Sequence, residues 1–152
     1  MLPRVEYSVI VPVPVDAAFQ AFQDLDRLLH RGIYDAALWT EGAPWQVRSR
    51  LRYVVVRPVR ATVSAVVTSI NPPHSISLLN HGLSVTAEQN VYFGPDLKGG
   101  TRVRMTMDFV GKPSELSGSA VHEAATFVTK DALDTMAALC QRRDPPPARD
   151  LP

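Results

Sequence analysis

Two side chains able to hydrogen-bond a small molecule fall on strand faces that are otherwise apolar. Tyr53 alternates in step with Leu51 and Val55, and Gln89 with Val85, Ala87, Val91 and Phe93. A polar atom on such a face needs a partner, which a neighbouring side chain, a water molecule or a ligand can supply. Both a ligand contact and a purely structural hydrogen bond are open for Gln89. Tyr53 can act as a weak acid beside a ligand carbonyl, although an ordinary pKa of about 10 does not force that role. Asn80 and His81 are adjacent, and a one-residue change of register exchanges which of them faces inward.

The remaining chemistry is sparse. The four histidines, His30, His74, His81 and His122, are scattered along the chain. His122-Glu123 opens like a zincin helix, but Thr126 follows where that pattern wants histidine. Cys140 is the only cysteine. No metal-ligand spacing results, so no metal and no cofactor are expected. His81 is the best placed general base, against the simpler reading of a histidine in solvent at a hairpin end. Gly94 to Gly100 lacks the spacing and the following helix of a phosphate loop, and no G-x-S-x-G elbow is present. No catalytic set is assigned. Tyr34, Trp39 and Trp45 form an aromatic group placed to stack on a planar ligand or to plug one end of the core.

These residues need a scaffold, and the 152-residue chain is long enough for one domain with its own core. Residues 1–143 are expected to form it, with 144–152, containing Pro145-Pro146-Pro147, as a tail. A net charge of +1 gives no field to recruit nucleic acid or an anionic membrane. Arg48, Arg50, Arg52, Arg102 and Arg104 are expected on a solvated outer face with Glu6 and Asp108 nearby. Apolar runs are far shorter than the ~20 residues of a membrane span. Residues 1–12 do not read as a signal peptide. A lone cysteine agrees with a reducing cytoplasm. Oligomeric state is not legible.

Period-two alternation predicts strands over 47–56, 59–70, 83–93 and 101–110, where Val103, Met105, Met107 and Phe109 share a face. Residues 5–11 and 75–81 add two more. Leu83 is expected on the inward face, and His81-Gly82 in a tight hairpin with glycine at positive φ. Pro14 suits a first helical position, with Asp16 in the first turn and a second short helix over 25–31. Pro58 should end or bulge a strand. The strongest helix covers about 115–142, with Val121, Ala125, Val128, Ala132, Met136 and Leu139 on one stripe.

That order predicts an α+β fold: a curved antiparallel sheet of six to seven strands wrapped around one long C-terminal helix. The stripe is lean, because Gly118, Ala125 and Ala132 alternate with larger residues. Small side chains leave space between helix and sheet, which a ligand or inward-reaching Met105, Met107 and Tyr53 must fill. A substantial internal pocket is expected, lined by Tyr34, Trp39, Tyr53, Gln89, Met105, Met107, Val121, Ala125, Val128 and Ala132.

The pattern resembles the START/SRPBCC superfamily with its helix-grip fold. Residues 6–19, EYSVIVPVPVDAAF, resemble its opening strand and Pro-led helix, and 39–53, WTEGAPWQVRSRLRY, its tryptophan, loop and second strand. Residues 101–110 and the helix that follows resemble its last strand and gripping helix. Where members often carry glycine before the Ser-Arg of that second strand, this chain has Arg48. The resemblance implies a binder of lipids, polyketides or other apolar small molecules, and it transfers no catalytic residue. Three functions follow: a carrier or sensor of an apolar small molecule, a polyketide cyclase or dehydratase using the same cavity, and an interaction module with a filled interior. The first is preferred, because no convergent acid/base pair is visible.

Overall fold

The computed structural model describes residues 2–29, 31–57, 59–110 and 115–141. Seven strands form: β1 (Val5–Val11), β2 (Tyr34–Glu41), β3 (Arg50–Val55), β4 (Ala61–Asn71), β5 (Ser75–Gly82), β6 (Val85–Pro95) and β7 (Thr101–Val110). They make one antiparallel sheet in the order β1-β7-β6-β5-β4-β3-β2. Helices α1 (Val15–Gln23) and α2 (Leu25–Leu28) separate β1 from β2, and α3 (Glu115–Gln141) follows β7. Short links turn β2 to β7 into a meander, and β1 closes against β7. The expectations placed on His30, Pro58 and residues 144–152 lie outside the described residues.

Alternation decides what each strand buries. Val103, Met105, Met107 and Phe109 of β7 turn inward, as do Val85, Ala87, Gln89, Val91 and Phe93 of β6. On β5 the inward set is Ile76, Leu78 and Asn80, so His81 faces out. The curved sheet wraps α3, which buries Val121, Ala124, Ala132, Leu133, Met136 and Leu139 and lies against β1, β7 and α1. Phe19 and Phe22 of α1 meet the ring of Phe93 edge-on at 5.2 and 5.9 Å, which seats α1 on one end of the sheet. On the outer face, Arg104 pairs with Glu6 at 3.1 Å, Arg102 with Asp96 at 3.2 Å and Arg4 with Asp108 at 2.8 Å. The arginines there sit among carboxylates on a mixed-sign surface.

Several local expectations change. Residues 34–41 show no alternation, yet they form β2. This edge strand pairs only with β3, and its burial alternates from Ala36 to Thr40; the period is hidden because the outward Ala36 and Leu38 are themselves apolar. Pro14 is the N-cap of α1 with φ −64° and ψ 162°; its carbonyl accepts the first helical hydrogen bond, from Ala18 at 3.0 Å. The second short helix stops at Leu28 instead of 31, because Leu29 is extended. Gly82 does not take positive φ. It pairs with Val85, so Leu83 (φ 53°) and Ser84 (φ 65°) become the two turn residues. Leu83 thereby leaves the inward face and is 43% exposed.

Two close approaches fix the site's surroundings. Gly32 lies beneath α3, where a Cβ would strike the Asp131 carboxylate and the Thr135 hydroxyl. That closeness lets the Ile33 N–H donate to Asp131 Oδ2 at 2.8 Å. Arg48 has φ 79°, the left-handed region that favours glycine. Its N–H donates to Val67 O at 2.8 Å, and the Val67 N–H donates to Ser49 O at 3.0 Å. Two residues therefore oppose one across β4, the geometry of a bulge whose first residue is left-handed.

Candidate ligand-binding site

Polar side chains from three strands meet on the inner face, and a thioether from a fourth ends their row. Tyr53 on β3 donates its hydroxyl to Asn80 Oδ1 on β5 at 2.9 Å. Asn80 Nδ2 donates to Gln89 Oε1 on β6 at 2.8 Å, and Gln89 Nε2 approaches Met105 Sδ on β7 at 3.3 Å. The sheet register makes this possible. Ala65 of β4 lies opposite Asn80, and Ala87 of β6 lies opposite it on the other side. Small neighbours on both flanks leave Asn80 reachable from β3 and from β6. Each of these polar atoms has a partner, as burial demands.

The row divides the space between sheet and helices. The expected single chamber is instead two hollows. One, about 40 Å³, is lined by Phe22, Leu25, Leu28, Leu29, Tyr34, Ala37, Trp45, Leu51, Tyr53, Leu78, Gln89 and Ala132. The other, about 80 Å³, lies under the first half of α3, among Val63, Asn80, Val85, Ala87, Met107, Phe109, Val121, Ala124, Ala125 and Val128. Tyr53 borders both. Exposed Val59 and Leu83, with Arg57, form the rim of the second.

Burial raises the pKa of the Tyr34 phenol above the ordinary tyrosine value, and the nearby Asp131 carboxylate adds to the rise. Burial does the same for Tyr53, helped by Tyr34. The rings meet edge-on at 5.6 Å. Both phenols are therefore neutral hydrogen-bond donors at ordinary pH, and neither is a base.

Tyr34, Tyr53, Gln89 and Ala132 gather around the first hollow, and Tyr53, Met107, Val121, Ala125 and Val128 around the second. Trp39 and Met105 line neither. Trp39 stacks edge-on against Trp45 at 5.1 Å, and Met105 is buried behind Gln89. Trp45, at φ 59°, donates its indole N–H to Gln23 O at 3.0 Å and closes the first hollow. Sequence reasoning left Asn80 undecided against His81; only the pairing of β5 with β4 and β6 turns it inward.

A curved antiparallel sheet gripping a long C-terminal helix, with a divided apolar interior, defines a helix-grip protein. The chain belongs to the polyketide cyclase / dehydrase and lipid transport family, whose model matches residues 3–142. No curated protein matches it. Among solved structures, it is similar to the Zhui aromatase/cyclase from Streptomyces sp. R1128, with 18% identity, a TM-score of 0.72 and coverage of 94% of this chain and 96% of that one. It is also similar to the protein TTHA0849 from Thermus thermophilus, with 17% identity, a TM-score of 0.73 and coverage of 94% and 100%. Ara h 8.0201 has 13% identity and a TM-score of 0.71, with coverage of 91% and 97%. At these identities the likeness establishes the fold alone.

Proposed function

We propose that this chain binds an apolar small molecule between α3 and the sheet and carries or senses it without changing it. The observation that supports this most is the chemistry of the lining. Apart from Arg57 at the rim and the Trp45 indole, which donates to Gln23 O, its polar groups are amides and phenols, which orient a ligand by hydrogen bonds but exchange no protons near neutral pH. An apolar cavity of ~150 Å³ is the size that takes benzene. Hollows of about 40 and 80 Å³ must therefore widen or join as a ligand enters. The row between them and the short side chains of Ala124 and Ala125 are where they can do so. A reducing cytoplasm fits a single, buried cysteine, Cys140. No helix among the described residues is long and apolar enough to cross a membrane.

A cyclase or dehydratase acting in the same space is the second reading. The Tyr34–Tyr53 pair favours it, because two neutral phenols on a mostly apolar wall can polarise a ligand carbonyl. Native mass spectrometry separates the two. A carrier retains an apolar compound through purification and releases it with unchanged mass. An enzyme returns an added poly-carbonyl substrate altered by loss of water or by ring closure. A folded chain that retains nothing from a broad panel of apolar compounds overturns both.

A further inference from the structure

The row has a direction, and Met105 sets it. A thioether accepts hydrogen bonds weakly and donates none. The Gln89 terminus facing Met105 Sδ at 3.3 Å must therefore be the NH₂ group. That choice turns Gln89 Oε1 toward Asn80 Nδ2, and turns Asn80 Oδ1 toward the Tyr53 hydroxyl. The reverse orientation would set a carbonyl oxygen against sulfur. Gln89 is buried, and its amide N–H₂, a strong donor, is spent on the weakest acceptor in the interior.

The position of this donor matters as much as its identity. Gln89 lines the first hollow, and its Oε1 holds Asn80, which lines the second; the other walls of both are mostly hydrocarbon. A molecule filling both must pass Tyr53, with Gln89 beside it on the wall of the first hollow. Resting on the proposed ligand-binding reading, we infer that Gln89 is the residue that selects the ligand. It favours a molecule with a carbonyl-type acceptor near its middle and an apolar arm on each side. One arm lies toward Phe22 and Leu28, the other toward Val121 and Phe109. Met105 lines neither hollow, so the Gln89 side chain turns its Nε2 from Met105 Sδ to the ligand oxygen, exchanging a weak acceptor for a stronger one. An acceptor at the end of a chain cannot reach Gln89 while both arms stay buried.

The test uses the purified chain and three probes of equal length: a straight-chain ketone with its carbonyl at mid-chain, the isomer with its carbonyl near one end, and the parent alkane. Affinities come from displacement of an apolar fluorophore. The mid-chain ketone is expected to bind about tenfold more tightly than either of the others, a difference of ~1.4 kcal/mol. In Gln89→Leu that preference disappears while alkane binding persists. Met105→Leu keeps it, because the amide donor remains. Equal affinity for all three probes, or preference for the end-chain ketone, overturns the inference and leaves the ligand-binding reading standing. Failure of every probe to bind overturns both. Should Gln89→Leu fail to fold, the comparison of probes on the natural chain still decides.

Discussion

Tyr53 reaches across the whole width of β4 to place its hydroxyl 2.9 Å from Asn80 Oδ1. It can do so because β4 presents Ala65, not a larger residue, opposite Asn80. The bond ties β3 to β5 on the inner face, independently of the backbone ladder. Tyr53→Phe removes the donor and keeps the ring. Stability should fall by about 1 kcal/mol, the usual net value of such a bond. Asn80→Leu should cost more, ~1–3 kcal/mol, because Gln89 Oε1 then loses its partner inside the protein. Urea denaturation of the two variants and of their combination measures the coupling. A combined loss equal to the sum of the single losses contradicts the row.

Arg48 holds a left-handed backbone that costs an L-residue about 1–2 kcal/mol. Arg48→Gly removes that cost but adds freedom to the unfolded chain, worth ~0.5–1 kcal/mol. The net expectation is a gain of roughly 0.5–1 kcal/mol, read as a rise of about 2 °C in Tm. A lower Tm would mean that the arginine side chain, not the bulge, governs this position.

How much of this was legible in the sequence depended on period. β6 and β7 alternate cleanly, so their inward faces, Gln89 included, could be read directly. β2 could not, because Ala36 to Trp39 are all apolar although only Ala37 and Trp39 turn inward, which leaves Leu38 61% exposed. The turn at Leu83-Ser84 was hidden by the neighbouring glycine, the more obvious candidate for positive φ. The lean stripe on α3 pointed to space beneath it. The division of that space into two hollows depended on Asn80, whose facing is a property of pairing and not of local composition. Trp39 is a pocket residue by type, but its ring is taken up by Trp45.

The raised phenols set a pH dependence. In the unfolded chain Tyr34 and Tyr53 ionise near pH 10, while in the folded chain burial holds their protons to higher pH. Above about pH 10 the unfolded state binds fewer protons than the folded state, so stability falls as pH rises from there. Below it these two groups contribute no slope. Chemical denaturation across the alkaline range, with ultraviolet titration of the tyrosines, should show two phenols that ionise only as the fold is lost. If all four tyrosines titrate at the ordinary value in folded protein, the environment assigned to the pair is wrong.

The alanines of α3 should differ in their tolerance of bulk. Ala132 is buried beside the hollow of about 40 Å³, and Ala125 is partly exposed beside the one of about 80 Å³. Ala132→Leu should destabilise by ~1–3 kcal/mol, the usual cost of overpacking. Ala125→Leu should cost less, since its added carbons enter open volume. Thermal denaturation ranks them, and the opposite order contradicts the assigned spaces.

Ligand entry requires α3 to stand far enough from the sheet to admit another molecule. Equilibrium titration of an environment-sensitive apolar fluorophore into the natural chain and into Ala125→Leu tests this most directly. The natural chain should bind one equivalent with a saturable rise in emission, and the folded variant should lose most of that binding. No saturable binding by the natural chain, or equal binding by the two, would contradict it.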